Sequence, residues 1–284
     1  MHIKQLLEKT NKLYTWNSTF NKIYESQLLL SNTLNKSLIE IILSKDLIIS
    51  EKKKKKYFKK VFLRNLGKPI SKITGISEFY SREFYVNTFT LDPRPESELI
   101  VDYAKKILKT KKNKLKILDL GTGSGCLIIS IILELKKNNI FGVGIDICEK
   151  ALKVAKKNAK KFGIKENLNF IKSDWFTEIN QKFDLIISNP PYVKKKEIKQ
   201  LGKEVRDFDP HISLDGGING LKMYKIIALN SQKFLNNEGI ICLEIGSEQK
   251  KDVTKIFESR NFIKIDEKKD LFNKDRLLIF KNKI

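Results

Sequence analysis

Residues Ser188 to Tyr192, Ser-Asn-Pro-Pro-Tyr, directly follow the apolar run Phe183–Ile187. The Asn189 side chain offers a carbonyl acceptor, and Pro190 offers a backbone carbonyl with no competing N–H. Pro190 and Pro191 in succession fix the backbone, so both acceptors are preorganised. Tyr192 adds a flat ring that can stack on a planar group. Two converging acceptors and a ring suit a planar NH2 group, whose nitrogen lone pair is delocalised until both of its hydrogens are held. With the hydrogens held, the lone pair can be aimed at an electrophilic methyl group. The nitrogen becomes more acidic as it is methylated and can lose its proton afterwards. No histidine or cysteine base is required, so His2 and His211 are not obvious catalysts. A carboxamide and the exocyclic amine of a nucleobase both present such a group, and the stretch by itself does not choose between them.

A glycine turn precedes it in the chain, Asp119-Leu-Gly-Thr-Gly-Ser-Gly125. Gly121, Gly123 and Gly125 let backbone approach a ligand and lead into a helix N-terminus, with Thr122 and Ser124 between them. Asp146 ends the next apolar run, about twenty residues on, where an acid can hold ribose hydroxyls. The GxGxG spacing differs from the GxGxxG that accompanies a pyrophosphate, and Asp119 would repel phosphate while suiting an ammonium group. Together these features point to a nucleoside cofactor without phosphates, S-adenosyl-L-methionine. In the run Ser173-Asp-Trp-Phe176, Trp175 is expected to contact the cofactor and Phe176 to pack on the following helix.

These stretches need a scaffold that brings them together. From about residue 93 the chain alternates β-like apolar runs with amphipathic helical segments, which argues for a parallel sheet covered by helices on both faces. Ligands of such sheets bind outside the carboxyl ends of the strands. DLGTGSG, DICEK, SDWF and SNPPY all stand at those ends, hence on one rim. The last two strands are separated by too few residues for a crossover helix and are expected to form an antiparallel hairpin. Residues 1–72 read as short amphipathic helices, 73–92 as a linker and hairpin, and 93–284 as the α/β domain.

The formal net charge of +23 suggests nucleic acid, but only six of the 56 basic residues are arginine. Arginine's planar fork is the usual reader of bases and phosphates, and here the lysines are spread along the whole chain. No specific nucleic-acid surface is therefore expected. No apolar run approaches a membrane span and the N-terminus lacks a signal-peptide pattern. Cys126, Cys148 and Cys242 lie in apolar segments without a CxxC pair, so neither a disulfide framework nor a metal site is expected. A cytoplasmic protein with buried thiols is the natural expectation.

With these residues in order, the chain resembles the class I S-adenosylmethionine-dependent methyltransferases that carry an N/D-PP-Y site. More narrowly, it resembles the release factor glutamine methyltransferases. The narrow likeness rests on GKPISKITGISEFYSREFYV, on PRPESE (Pro93–Glu98), on IKSDWF, on EVRDFDPHISLDGGINGL, on LEIGSEQ and on the tail DLFNKDRLLIF. It covers residues 65–284 well. The resemblance implies a Rossmann-like sheet of seven strands, mostly parallel, plus a small helical N-terminal domain that holds the substrate. It implies methylation of the side-chain amide (N5) of the glutamine in the GGQ loop of peptide chain release factors. On that basis Gly121 to Gly125, Asp146 and Trp175 would line the cofactor site. Asn189 would touch cofactor and substrate, and Asn189, Pro190, Pro191 and Tyr192 would grip the glutamine. Ser97 stands where the family usually has threonine, Asp209 where it usually has glutamate, and Lys72 where an aromatic is frequent. None of these differences removes a group that the chemistry requires, and the resemblance leaves the role of PRPESE open.

Overall fold

The fold follows from where apolar residues recur, at helical spacing in the first quarter of the chain and as short continuous runs thereafter. The computed structural model describes residues 1–16, 21–111, 113–135 and 139–283. Five helices come first: α1 (Ile3–Leu13), α2 (Lys22–Leu34), α3 (Leu38–Leu43), α4 (Glu51–Asn65) and α5 (Ile70–Thr74). Then follow β1 (Ile76–Phe79), β2 (Arg82–Tyr85), α6 (Glu98–Leu108), β3 (Leu115–Leu120), α7 (Cys126–Leu135), β4 (Ile140–Asp146) and α8 (Glu149–Lys161). The remainder is β5 (Leu168–Lys172), β6 (Phe183–Ser188), α9 (Lys203–Phe208), α10 (Lys222–Phe234), β7 (Leu235–Glu244), α11 (Lys250–Glu258), β8 (Phe262–Lys269) and β9 (Asp275–Asn282). These elements form two compact units, Met1–Ile76 with Gly202–Phe208, and Ser77–Leu201 with Asp209–Ile284.

In the helical unit Ile3, Leu6, Leu29, Leu30, Ile41, Tyr57 and Val61 make the core. Ser37 starts α3 with a capping box, its hydroxyl accepting from Glu40 N while the Glu40 carboxylate accepts from Ser37 N. Arg64 is buried and pairs bidentately with buried Glu25, at 2.8 Å for both Nε–Oε2 and Nη2–Oε1. It also donates to Glu204 and stacks over Trp16 at 5.4 Å. A buried guanidinium left without its carboxylates costs about 3–5 kcal/mol. This pairing explains why residues 202–208, which leave the α/β unit in sequence, fold with the N-terminal helices.

In the α/β unit the strand order is β5-β4-β3-β6-β7-β9-β8. β3 pairs in parallel with both β4 and β6, β4 with β5, and β6 with β7. The sheet is buried on both faces, so its central strands carry continuous apolar stretches, such as Ile117–Leu118 of β3 and Leu185–Ile187 of β6, rather than alternating. Along β3, Ile117 faces the core built with Ile128, Ile129 and Leu152, whereas Leu118 and Leu120 face the core built with Tyr224, Ile227 and Phe257. Phe257 stacks on Phe280 of β9 at 4.3 Å, and each fully buried ring of this kind contributes roughly 1.5–3 kcal/mol.

The closing hairpin has the expected antiparallel form, and β9 inserts between β7 and the edge strand β8. Asp270 makes the turn by accepting from the N–H groups of Phe272 and Lys274, which leaves no room for a crossover helix. β1 and β2 pair as a separate two-stranded hairpin. Among the described residues no helix is long and apolar enough to cross a membrane.

Candidate active site

The sheet's strand order reverses direction at β3, between β4 and β6, which is where an open α/β sheet leaves a crevice at its carboxyl edge. A cavity of about 790 Å³ lies there, within the usual range for a small-molecule site. Gly121, Gly123, Asp146, Trp175, Asn189 and Pro191 all line it. Four separate strand ends therefore meet at one cavity.

The glycine turn divides its work between ligand and scaffold. Gly121 and Gly123 have φ of +71° and +56°, a region that side chains disfavour. A Cβ built on Gly121 would meet nothing within 4 Å, so the backbone there is bare toward the cavity. A Cβ on Gly125 would come within 3.0 Å of Ile129 and 3.2 Å of Ala155, so this glycine serves the packing of α7 on α8. Thr122 and Ser124 are buried and do not line the cavity. Thr122 Oγ1 donates to Asp119 Oδ2 at 2.6 Å. Asn158 of α8 donates to Ser124 O at 2.8 Å and to Tyr85 O at 3.0 Å, and accepts from Tyr85 N at 2.7 Å. Buried Asn158 thus ties the turn to the hairpin.

Asp146 Oδ2 accepts from Gly123 N at 2.9 Å and Oδ1 from Cys148 N at 2.8 Å. Burial raises its pKa and the two N–H groups oppose that shift. Each oxygen keeps a further lone pair at the cavity wall, which suits a pair of vicinal hydroxyls. Trp175 lines the cavity with φ +53°, and Phe176 does two things at once, stacking on Phe234 at 5.0 Å while also lining the cavity. A bare turn, an acid with spare lone pairs and aromatic rings on the neighbouring loop fit S-adenosylmethionine, the methyl donor of this fold.

Asp119 takes a different part from the one expected. It is fully buried beneath the turn and does not line the cavity, because β3 holds it below the chain reversal. Burial pushes its carboxyl up to about 7. A carboxyl raised above its unfolded value binds its proton more tightly when folded. Its stabilising contribution is complete below about pH 4 and is lost as pH rises through about 7. Asp119→Asn is therefore expected to flatten the fall in melting temperature between about pH 4 and 7, read by calorimetry against the parent protein. Identical pH dependence in the two proteins would show that Asp119 does not carry this proton.

β6 is held against β3 by Ser188 Oγ, which donates to Leu120 O at 2.8 Å. Immediately beyond, the Asn189 Nδ2 group donates to Ser97 Oγ at 2.9 Å. Among the described residues no hydrogen bond takes up Asn189 Oδ1 or Pro190 O, so both acceptors remain available. Asn189 and Pro191 form the wall, whereas Pro190 is buried. The half-buried Tyr192 turns its hydroxyl to Glu244 Oε1 at 3.3 Å, and burial raises the phenol's pKa. Gln249 Nε2 donates to Tyr192 O at 3.0 Å and to Gly220 O at 3.1 Å. Val193 pairs with the returning chain, its N–H donating to Leu214 O and its carbonyl accepting from Gly216 N. The exit of the proline pair is thereby pinned from two sides.

Two further parts of the site lie far off in sequence. Arg94 pairs with buried Asp209 at 2.6 Å, and Ser97 reaches both Asn189 and Glu244. This gives PRPESE its structural role. Glu244 is buried at the end of β7, and burial raises its carboxyl to about 7. A lone acid closing the apolar run GIICLEIG was the available signal for it. Phe89, Ile147 and Pro210 in loops and Ile226 on α10 also line the cavity, and single apolar residues carry no such signal. Of the three thiols only Cys242 is buried, while Cys148 is half-buried and lines the cavity, because it follows the turn that Asp146 makes.

Known proteins carry the same arrangement of sequence. Residues 111–274 match the family model described as a methyltransferase domain. The chain is 34% identical over 262 residues to the release factor glutamine methyltransferase of Agrobacterium fabrum, covering 91% of this chain and 90% of that protein. It is 38% identical to the protein of that name from Buchnera aphidicola subsp. Acyrthosiphon pisum, covering 99% of both chains. It is 37% identical to a bifunctional methyltransferase of Rickettsia typhi, of which it spans 52%. The match in sequence over nearly the full length of two such enzymes agrees with the cavity, the bare glycine turn and the preorganised Asn189. The chain belongs to the release factor glutamine methyltransferase family.

Proposed function

We propose that this protein transfers the methyl group of S-adenosylmethionine to the side-chain amide nitrogen of the glutamine in the GGQ loop of peptide chain release factors. The observation that carries this reading is the state of Asn189. Its amide NH2 is committed to Ser97, and its Oδ1 and the Pro190 carbonyl have no partner among the described residues. Two acceptors in a fixed geometry take the two hydrogens of a carboxamide and leave its nitrogen lone pair directed at the methyl donor. When bound, the cofactor supplies the electrophilic methyl on its sulfonium. The carboxylate of Asp146 holds the ribose hydroxyls, the bare backbone at Gly121 and Gly123 accommodates the rest of the nucleoside's approach, and Trp175 flanks the adenine. Thr122, Ser124 and Gly125 keep that turn in shape. Tyr192 bounds the glutamine from the far side of the proline pair, with Pro191 as part of the wall. The helical residues 1–72 receive the release factor, and the protein works in the cytoplasm, where its substrates are made.

Transfer of label from methyl-labelled cofactor to a purified release factor tests the reading. Label is expected on the wild-type factor and absent from a factor whose GGQ glutamine is alanine. The basic charge makes RNA the control substrate, and label on RNA with none on the release factor would hand the Asn-Pro-Pro-Tyr site to a base amine instead.

A further inference from the structure

We infer that Ser97 and Glu244 are positioning residues that fix which end of the Asn189 amide faces the cavity. The inference rests on the proposed role of Asn189 as an acceptor for the substrate amide. The carbonyl and amino ends of an asparagine side chain are nearly isosteric, so packing alone barely distinguishes them. Hydrogen bonding has to decide, and the structure holds a chain of hydrogen bonds that does so.

Glu244 is 1% exposed and Ser97 is 3% exposed. Ser97 Oγ donates to Glu244 Oε2, while Glu244 Oε1 faces the Tyr192 hydroxyl at 3.3 Å. An ionised carboxylate only accepts, and a hydroxyl has one proton. The single Ser97 proton is therefore committed to Glu244, and the face of Ser97 Oγ toward Asn189 carries lone pairs. Those lone pairs select the Nδ2 end of Asn189, at 2.9 Å. Oδ1 is left pointing away from Ser97, as an acceptor. The reversed amide would set two acceptors against each other at Ser97 and would offer NH2 to an incoming NH2. Tyr224 steadies the end of β7 by donating from its hydroxyl to Glu244 O at 3.0 Å. Arg276 favours the charged form of Glu244 and Glu96 opposes it.

Ser97 sits in the one-turn segment Pro95–Ser97 ahead of α6, and Glu244 ends β7, so two elements remote in sequence hold one rotamer. Asn189 can still be built and can still face the cavity without Ser97, but its two ends then compete. The consequence is a loss in the chemical step rather than in binding of the cofactor.

The test compares wild type, Ser97→Ala and Ser97→Thr as full chains at about pH 8.5, where Glu244 is ionised. Threonine restores the hydroxyl. In Ser97→Ala, kcat for methyl transfer to the release factor is expected to fall about 10- to 100-fold, with cofactor Kd and melting temperature nearly unchanged. Ser97→Thr is expected to return kcat to within about threefold of wild type. The Asn189 side-chain 15N–1H signals, assigned with Asn189→Ala, are expected to move in Ser97→Ala and return in Ser97→Thr. Wild-type turnover retained in Ser97→Ala overturns the inference. So does a Ser97→Thr protein that folds and binds cofactor but stays slow, or a kcat loss in Ser97→Ala matched by lost cofactor affinity. A wild-type protein that transfers no methyl to release factor sinks the proposed function instead, and the NMR signals then judge the hydrogen-bond chain alone.

Discussion

Asn189→Ala is expected to lower kcat for methyl transfer by about 10³-fold, corresponding to roughly 4 kcal/mol of lost transition-state stabilisation. The side chain is half-buried on the cavity wall, and its hydrogen bond to Ser97 is peripheral to both hydrophobic cores. Melting temperature should therefore change little. The loss should fall on kcat, because the acceptor matters most when the amide nitrogen's lone pair is withdrawn from resonance and its hydrogens become more acidic. Alanine leaves Pro190 O as the remaining acceptor, and one acceptor leaves the amide free to rotate. Single-turnover measurement with preformed cofactor complex separates this from a binding defect. A variant that keeps full single-turnover rate would remove Asn189 from the chemistry.

Asp146→Ala is expected to act on a different quantity, raising the cofactor Kd by about 100-fold, or some 2.7 kcal/mol. Two contributions combine. In the proposed role, charge-assisted bonds from the carboxylate to ribose hydroxyls would be worth roughly 1.5–3 kcal/mol. In addition Gly123 N and Cys148 N lose the acceptor that holds the turn, so the bare backbone loses its shape. Asp146→Asn should fall between, since it keeps one of the two acceptor atoms. Titration calorimetry, or quenching of Trp175 fluorescence, measures the change. At saturating cofactor the Asp146→Ala enzyme should recover most of its kcat, in contrast to Asn189→Ala. Unchanged cofactor affinity would take Asp146 out of the ribose role.

Much of the frame was legible in the amino-acid order because short-range rules wrote it. Strand runs bounded by glycine, acid or proline announce their own ends, and the seven-stranded sheet with its closing hairpin follows from their alternation with helices. The joint placement of Gly121, Asp146, Trp175 and Asn189 on one rim also follows from local order, since parallel strands all point their carboxyl ends the same way. The resemblance carried by PRPESE, EVRDFDP and LEIGSEQ went further, to the family, although it did not say what those segments do.

What the tertiary structure decided concerns partners that are remote in the chain. Asp119 reads as a ligand for an ammonium group, yet β3 carries it beneath the turn, where it supports Thr122. Residues 202–208 follow the active-site loop in sequence but fold with the N-terminal helices, because Glu204 meets Arg64, a contact spanning 140 residues. Ser97 and Glu244 stand 147 residues apart, and only their meeting gives the Asn189 amide a direction. Periodicity and turn chemistry act over a few residues and so appear in the sequence. The polarity of a hydrogen-bond chain depends on which donors and acceptors the packed core brings within 3 Å, and one-dimensional order does not contain that distance. The sequence by itself therefore determined the frame, the rim and the kind of chemistry, and the tertiary structure decided which donors and acceptors meet at Asn189.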